Sequence, residues 1–90
     1  MIINKAYAGT LESSDIFVEI EPADEGAGIE LKLTSAVYKQ FGPQIEEVIL
    51  ETLKANGIED AKVTANDRGA VDCTIRARVE VAALRAKGEV

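Results

Sequence analysis

The chain has 90 residues, 47% hydrophobic and 29% charged, a mixture that folds around one core and leads to the expectation of a single domain spanning residues 1–90. Its formal charge of −6, with the acids spread along the chain, argues against nucleic acid as a partner. No apolar run approaches the ~20 residues of a membrane span, and the start MIINKAYAG lacks the basic-then-apolar layout of a secretory signal, so no membrane partner and a cytoplasmic location are expected.

The first segment, Lys5 to Leu11, runs into Glu12, Ser13, Ser14 and Asp15, short polar residues that favour a turn by bonding to nearby backbone. From Ile16, apolar Ile16, Val18 and Ile20 alternate with Phe17, Glu19 and Glu21 until Pro22, which predicts a half-buried strand ended by a residue that cannot donate to a ladder. The glycine-containing acidic stretch Ala23 to Gly28 connects to a second alternation, Ile29, Leu31 and Leu33 against Glu30, Lys32 and Thr34, and the two strands are expected to pair antiparallel. Val37, Phe41, Ile45, Val48, Ile49, Thr52 and Leu53 then recur at helical spacing, with Ser35 as the expected N-cap and Asn56-Gly57 as the stop. Pro43 falls inside this pattern, so either the helix kinks there or a short turn precedes a helix beginning at Pro43.

Beyond Gly57, Ala61 to Ala65 reads as a strand, Asn66-Asp67-Arg68-Gly69 as a turn, and Val71, Cys73, Ile75, Ala77 and Val79 alternate with Asp72, Thr74, Arg76 and Arg78, which predicts a second hairpin. Glu80 to Lys87 has the propensity of a short terminal helix. The expected architecture is therefore an α+β two-layer sandwich in the order β-β-β-α-β-β-α. Its sheet, of about five mostly antiparallel strands, packs against one main helix, with a short C-terminal helix beside it.

Candidate chemistry is sparse. Histidine is absent and Cys73 is the sole cysteine, which removes an internal disulfide, an ordinary zinc site and most nucleophile–base pairings. The alternation places Cys73 on the face of Val71 and Ile75, where a thiol behaves as a small hydrophobe. Glu46 with Glu47, and Glu59 with Asp60, are acids close in sequence, but adjacent residues on a helix diverge and a solvated face accounts for them better. Arg76 and Arg78 share one side of the expected strand, suited either to a phosphate or partner carboxylate or, more simply, to a neighbouring acid. Ser13 and Ser14, in a polar bend between Glu12 and Asp15, are hydroxyls placed to enter another protein's active site, although serines in such turns commonly serve only the backbone. No catalytic residue and no metal ligand is expected of the chain itself.

Three blocks, Ala8-Gly9-Thr10-Leu11-Glu12-Ser13-Ser14-Asp15, Lys39-Gln40-Phe41-Gly42 and Asp67-Arg68-Gly69-Ala70-Val71-Asp72-Cys73, resemble in content and order the gamma subunits of citrate lyase, a likeness that covers nearly the whole chain. The resemblance implies a non-catalytic acyl carrier subunit. In that family the serine after Leu-Glu, here Ser13, holds a phosphoribosyl dephospho-coenzyme A arm through a phosphodiester. Ser14 is the alternative hydroxyl, at a position where some relatives have glycine, and Pro43 departs from the family pattern. The resemblance further implies an alpha subunit as acyl transferase, a beta subunit as citryl lyase and a separate transferase that loads the arm, with citrate converted overall to acetate and oxaloacetate. Glu12 and Asp15 are expected either to guide that loading enzyme by charge or to form the turn. Two other readings stand beside this one: the carrier of a malonate decarboxylase, and an unmodified scaffold within an enzyme complex.

Overall fold

The structure, a computed structural model, describes residues 4–89; the remaining ends of the expected 1–90 domain, including the first residues of the segment read for a leader, lie outside the described residues. Strands β1 (Ala6–Gly9), β2 (Ile16–Pro22) and β3 (Ile29–Ser35) precede helix α1 (Tyr38–Ala55), and β4 (Ala61–Asp67) precedes helix α2 (Asp72–Ala86). The strands form one four-stranded sheet in the order β1-β2-β4-β3. β1 pairs antiparallel with β2, β2 antiparallel with β4, and β3 parallel with β4. The α+β class and the helix-covered, mostly antiparallel sheet agree with the sequence reading.

Three expectations are corrected. The sheet has four strands rather than five, because Asp72–Ala86 is a helix and the element order is β-β-β-α-β-α. Its buried residues Ile75, Val79, Ala82, Ala83 and Ala86 recur at spacings of three and four, so the helical stripe wins once the segment is read to its end. Cys73 consequently faces solvent instead of sharing a buried face with Ile75. β2 and β3 run in opposite directions as expected but do not pair: β4 lies between them, delivered there by the α1 crossover that a parallel connection requires.

Alternation along β2 buries Ile16, Val18 and Ile20, and alternation along β4 buries Ala61, Val63 and Ala65. These residues meet Ile45, Val48, Ile49 and Leu53 of α1 and the small-residue stripe of α2. α2 lies over β1 and β2, α1 lies over β3, and the helices touch each other. Alanine at three buried positions of α2 lets that helix approach the sheet closely, a contact that larger side chains would hold apart.

The start of α1 departs from the simple cap expected of Ser35. Val37 is the N-cap and no side chain caps it; Ser35 instead accepts the Val37 N–H at 3.1 Å. Pro43 neither begins the helix nor breaks it, since α1 runs through it from Tyr38. It stands on an exposed face, where the carbonyl deprived of its partner is accessible to water. Gly42 beside it leaves room for the Tyr38 ring to lie along the helix, since a Cβ there would stand 2.8 Å from that ring. The helix stops as expected, with Asn56 as C-cap and Gly57 at φ 73°.

Candidate functional site

Both helices begin, and β1, β3 and β4 end, at one end of the sheet, so the loops 10–15, 35–37 and 67–71 gather there. The 10–15 loop joins β1 to β2. Gly9, at φ 93°, can only be glycine, because a Cβ would fall 1.8 Å from the Ile16 carbonyl oxygen. The Asp15 N–H closes a turn onto the Glu12 carbonyl at 3.2 Å, which puts Ser13 and Ser14 at its two central positions. Ser14 has φ 65°, the left-handed conformation that the third residue of a type II turn demands and that glycine adopts most readily.

The turn is braced on three sides. Ser14 N–H donates to the Arg68 carbonyl at 2.8 Å, and Arg68 N–H donates to the Asp15 carbonyl at 2.9 Å, so the hairpin tip is stitched to the loop after β4. The Asp15 carboxylate accepts the Thr10 hydroxyl at 2.6 Å and the Ile16 N–H at 2.7 Å. It also takes a two-pronged pair from α2, Arg78 Nε at 3.0 Å and a terminal guanidinium nitrogen at 2.9 Å. Arg78 foremost, then the Thr10 hydroxyl, hold the Asp15 carboxyl at about 2, below its usual 3.8. Asp15 is thus buried and serves the turn rather than standing free as a guiding charge, which leaves Glu12 as the exposed acid beside Ser13.

A second carboxylate fixes the loop that receives the hairpin. Asp67, fully buried at the end of β4, accepts the Ser35 hydroxyl at 2.8 Å, Gly69 N–H at 3.1 Å and Ala70 N–H at 3.0 Å. A buried carboxylate is tolerable only when hydrogen-bonded in this way. Two of the three sequence blocks therefore interlock: the first supplies the turn and the third supplies the cradle.

On this frame Ser13 and Ser14 are both exposed. Neither hydroxyl makes a hydrogen bond to another described residue, whereas the Glu12 carbonyl and the Ser14 N–H on either side of Ser13 are both engaged. A bulky group on its Oγ would displace nothing from the core. The other acid and arginine pairs do not converge. Glu46 accepts the Tyr38 hydroxyl at 3.2 Å, Asp60 accepts Gly28 N–H at the opposite end of the sheet, and Glu47 and Glu59 face solvent. Arg76 and Arg78, expected side by side on a strand, are separated on α2; Arg76 is exposed while Arg78 turns to Asp15. Among the described residues no group of three potential metal ligands exists, and no helix is long and apolar enough to cross a membrane. In the sequence Thr10 and Asp67 stand out only as members of the family blocks and Arg78 only as a partner for a phosphate or an acid, and no local pattern ties the three to the serine turn.

Comparison with known proteins is decisive for the family. Residues 3–86 match the ACP family model, described as malonate decarboxylase delta subunit (MdcD). The chain is also 56% identical over 85 residues to the citrate lyase acyl carrier protein of Vibrio cholerae serotype O1 strain M66-2, a match covering 94% of this chain and 86% of that protein. This chain belongs to the citrate lyase acyl carrier protein family. Citrate lyase acyl carrier protein 2 of Salmonella paratyphi A is 54% identical, covering 94% of this chain and 87% of its own length. A Klebsiella pneumoniae member is 53% identical over 81 residues, 90% of this chain and 82% of its own. Among solved structures, a chain of a Pseudomonas malonate decarboxylase hetero-tetramer in complex with malonate superposes with a TM-score of 0.74 at 18% identity, covering 92% of this chain and 84% of that one; the fold is shared. As an acyl carrier, this family member uses a sheet with one face covered by two helices.

Proposed function

We propose that this chain is the carrier subunit of a citrate lyase and that Ser13 is the residue to which its prosthetic arm is attached. The observation that carries the reading is the Ser13 hydroxyl itself: exposed, without a hydrogen-bond partner among the described residues, and at the tip of a turn whose backbone is fixed by Arg68, Asp15 and Arg78. The arm would be phosphoribosyl dephospho-coenzyme A, joined through a phosphodiester to Ser13 Oγ. When bound, its terminal thiol supplies the thioester on which acetyl and citryl groups are held.

What the protein itself contributes is position. A braced turn keeps the attachment point at a constant place, so flexibility resides in the arm, and tethering raises the local concentration of the acyl group wherever the arm can reach. Ser14 shares the two central positions of the turn and its hydroxyl is equally exposed, so the choice of Ser13 rests on its place directly after Leu11-Glu12. The catalytic steps, acyl transfer and carbon–carbon cleavage, fall to alpha and beta companion subunits. Glu12 is the exposed charge next to the attachment point and can orient the loading transferase.

Co-expression with the loading enzymes tests the assignment. Intact mass is expected to rise by the mass of the arm and peptide mapping to place the addition on Ser13; Ser13→Ala is expected to remain at the apoprotein mass, and Ser14→Ala to load. An unmodified mass together with full complex activity for Ser13→Ala would establish the scaffold reading instead. The description of the matching family model gives a specific reason to test a malonate decarboxylase as well. Reconstitution of the loaded chain with each set of catalytic subunits separates the two, with citrate cleavage expected.

A further inference from the structure

A groove of about 410 Å³ opens between the first turns of α1 and the Gly69–Asp72 segment that leads into α2. Its lining is mostly apolar, and Phe41 and Val71, 51% and 63% exposed, both face it. At its edge the Gln44 side-chain amide donates to the two Asp72 carboxylate oxygens at 3.3 and 3.2 Å. Large apolar side chains left exposed around one concavity, with a few polar groups, mark a place where something binds.

The groove and the attachment turn are parts of one unit. Arg68 both accepts the Ser14 N–H and donates to Asp15, and the next residue, Gly69, is already groove wall. The Asp67 carboxylate fixes Gly69 and Ala70 by their N–H groups, so the wall stands in a set relation to the serine. At about 410 Å³ the space falls in the range of small-molecule sites.

We infer that this groove is the resting berth of the arm's pantetheine end, folded back onto its own carrier from Ser13. The inference rests on the Ser13 reading. Pantetheine alternates short apolar stretches with two secondary amides and ends in a thiol. The groove offers the matching pattern: Phe41, Ile45 and Val71 against the apolar stretches, and Gln44 with Asp72 as donor and acceptor for an amide. No strong intrinsic affinity is needed, because a tethered group experiences an effective concentration near the millimolar range. A thioester lying there is withdrawn from water and from stray thiols until a catalytic subunit draws the arm out.

The test compares unloaded and loaded ¹⁵N-labelled chains, with loading verified by mass, in a Cys73→Ser background so that the arm carries the sole thiol. Loading is expected to shift the amide signals of Phe41, Gly69 and Val71 and the Gln44 side-chain amide, beyond the signals adjoining Ser13. The arm's thiol is expected to react with a disulfide reagent about 10-fold more slowly than free pantetheine, equivalent to ~1.4 kcal/mol of fold-back. Val71→Asp and Phe41→Ala, both at exposed positions, are expected to load normally and restore fast reaction. Verified loading with shifts confined to the neighbourhood of Ser13 and an unprotected thiol would overturn the berth while leaving the carrier reading standing. Shifts at the groove that arise only when catalytic subunits are added would make it a docking surface and overturn it equally. A mass that never rises would remove the carrier reading and the berth with it.

Discussion

The two ends of the sheet are built on different terms. At one end lies the 23–28 connection, where Asp24, Glu25, Gly26 and Ala27 are all exposed. It is held by one turn bond from Ala27 N–H to the Asp24 carbonyl and, where it joins β3, by Gly28, whose N–H reaches Asp60 at 2.8 Å and whose carbonyl accepts Ala61 N–H at 3.1 Å. At the other end the 10–15 loop is similar in length and equally acidic, yet Asp15 alone collects bonds from Thr10, Ile16 and Arg78. Backbone bonds to Arg68 add a second attachment. The difference teaches where rigidity has been placed: the connection that only links strands is left loose, and the one that presents Ser13 is bound to β4 and α2.

That contrast can be broken experimentally, and the largest effect is expected from Asp67→Ala. It strips partners from the Ser35 hydroxyl and from Gly69 and Ala70 N–H, and with each unsatisfied group costing ~1–3 kcal/mol, a loss of about 3 kcal/mol is expected by chemical denaturation. Loading at Ser13 is expected to slow as well, because the cradle under the turn is gone. An equivalent substitution at the loose end, Asp60→Ala, is expected to cost about 1 kcal/mol and leave loading unchanged.

Next in size is the Asp15–Arg78 pair. Its partial exposure limits its contribution to about 1–2 kcal/mol, measured as the difference between wild type and Asp15→Asn at neutral pH. The sign follows from a depressed carboxylate value. The contribution is full above the ordinary value of 3.8 and is lost as pH falls through about 2, so the two denaturation curves should converge across that acid window. A constant gap down to pH 2 would show that the charge is not what Asp15 supplies.

Smaller and opposite in sign, Ser14→Gly is expected to stabilise by about 0.5–1 kcal/mol in thermal unfolding, since φ 65° strains any side-chain-bearing residue. It should still accept the arm. Finally, limited digestion with a protease that cuts after glutamate is expected to nick the chain at Glu25 before Glu12, although both are exposed, because only the latter sits in a braced loop. Cleavage at Glu12 first would reverse the comparison.

Much of this architecture is legible in the residues, and the failures have identifiable causes. β2 and β3 were readable because branched apolar residues alternate cleanly there, and α1 because its stripe extends over four turns. Alternation from Val71 to Val79 was misleading, since a window of nine residues containing Ala77 satisfies both periods; the small residues Ala82, Ala83 and Ala86 that settle the matter carry little hydrophobic signal. The pairing of β3 could not be read locally, because a parallel partner arrives only after the crossover. Ser13 stands out by its polar bend and by family likeness, but its supports do not: Arg78 lies 63 residues beyond Asp15, and no short-range pattern records such a bond.

That distance has a consequence for how the protein comes into being. The hairpin bearing Ser13 is made early in synthesis, but the partners that give it its posture, Arg68 and Arg78, emerge from the ribosome only near the end, along with the strand that occupies the middle of the sheet. A truncated or half-folded polypeptide would own the serine without the shape around it. A loading enzyme that reads the shape would thereby spend its costly prosthetic group on finished molecules alone.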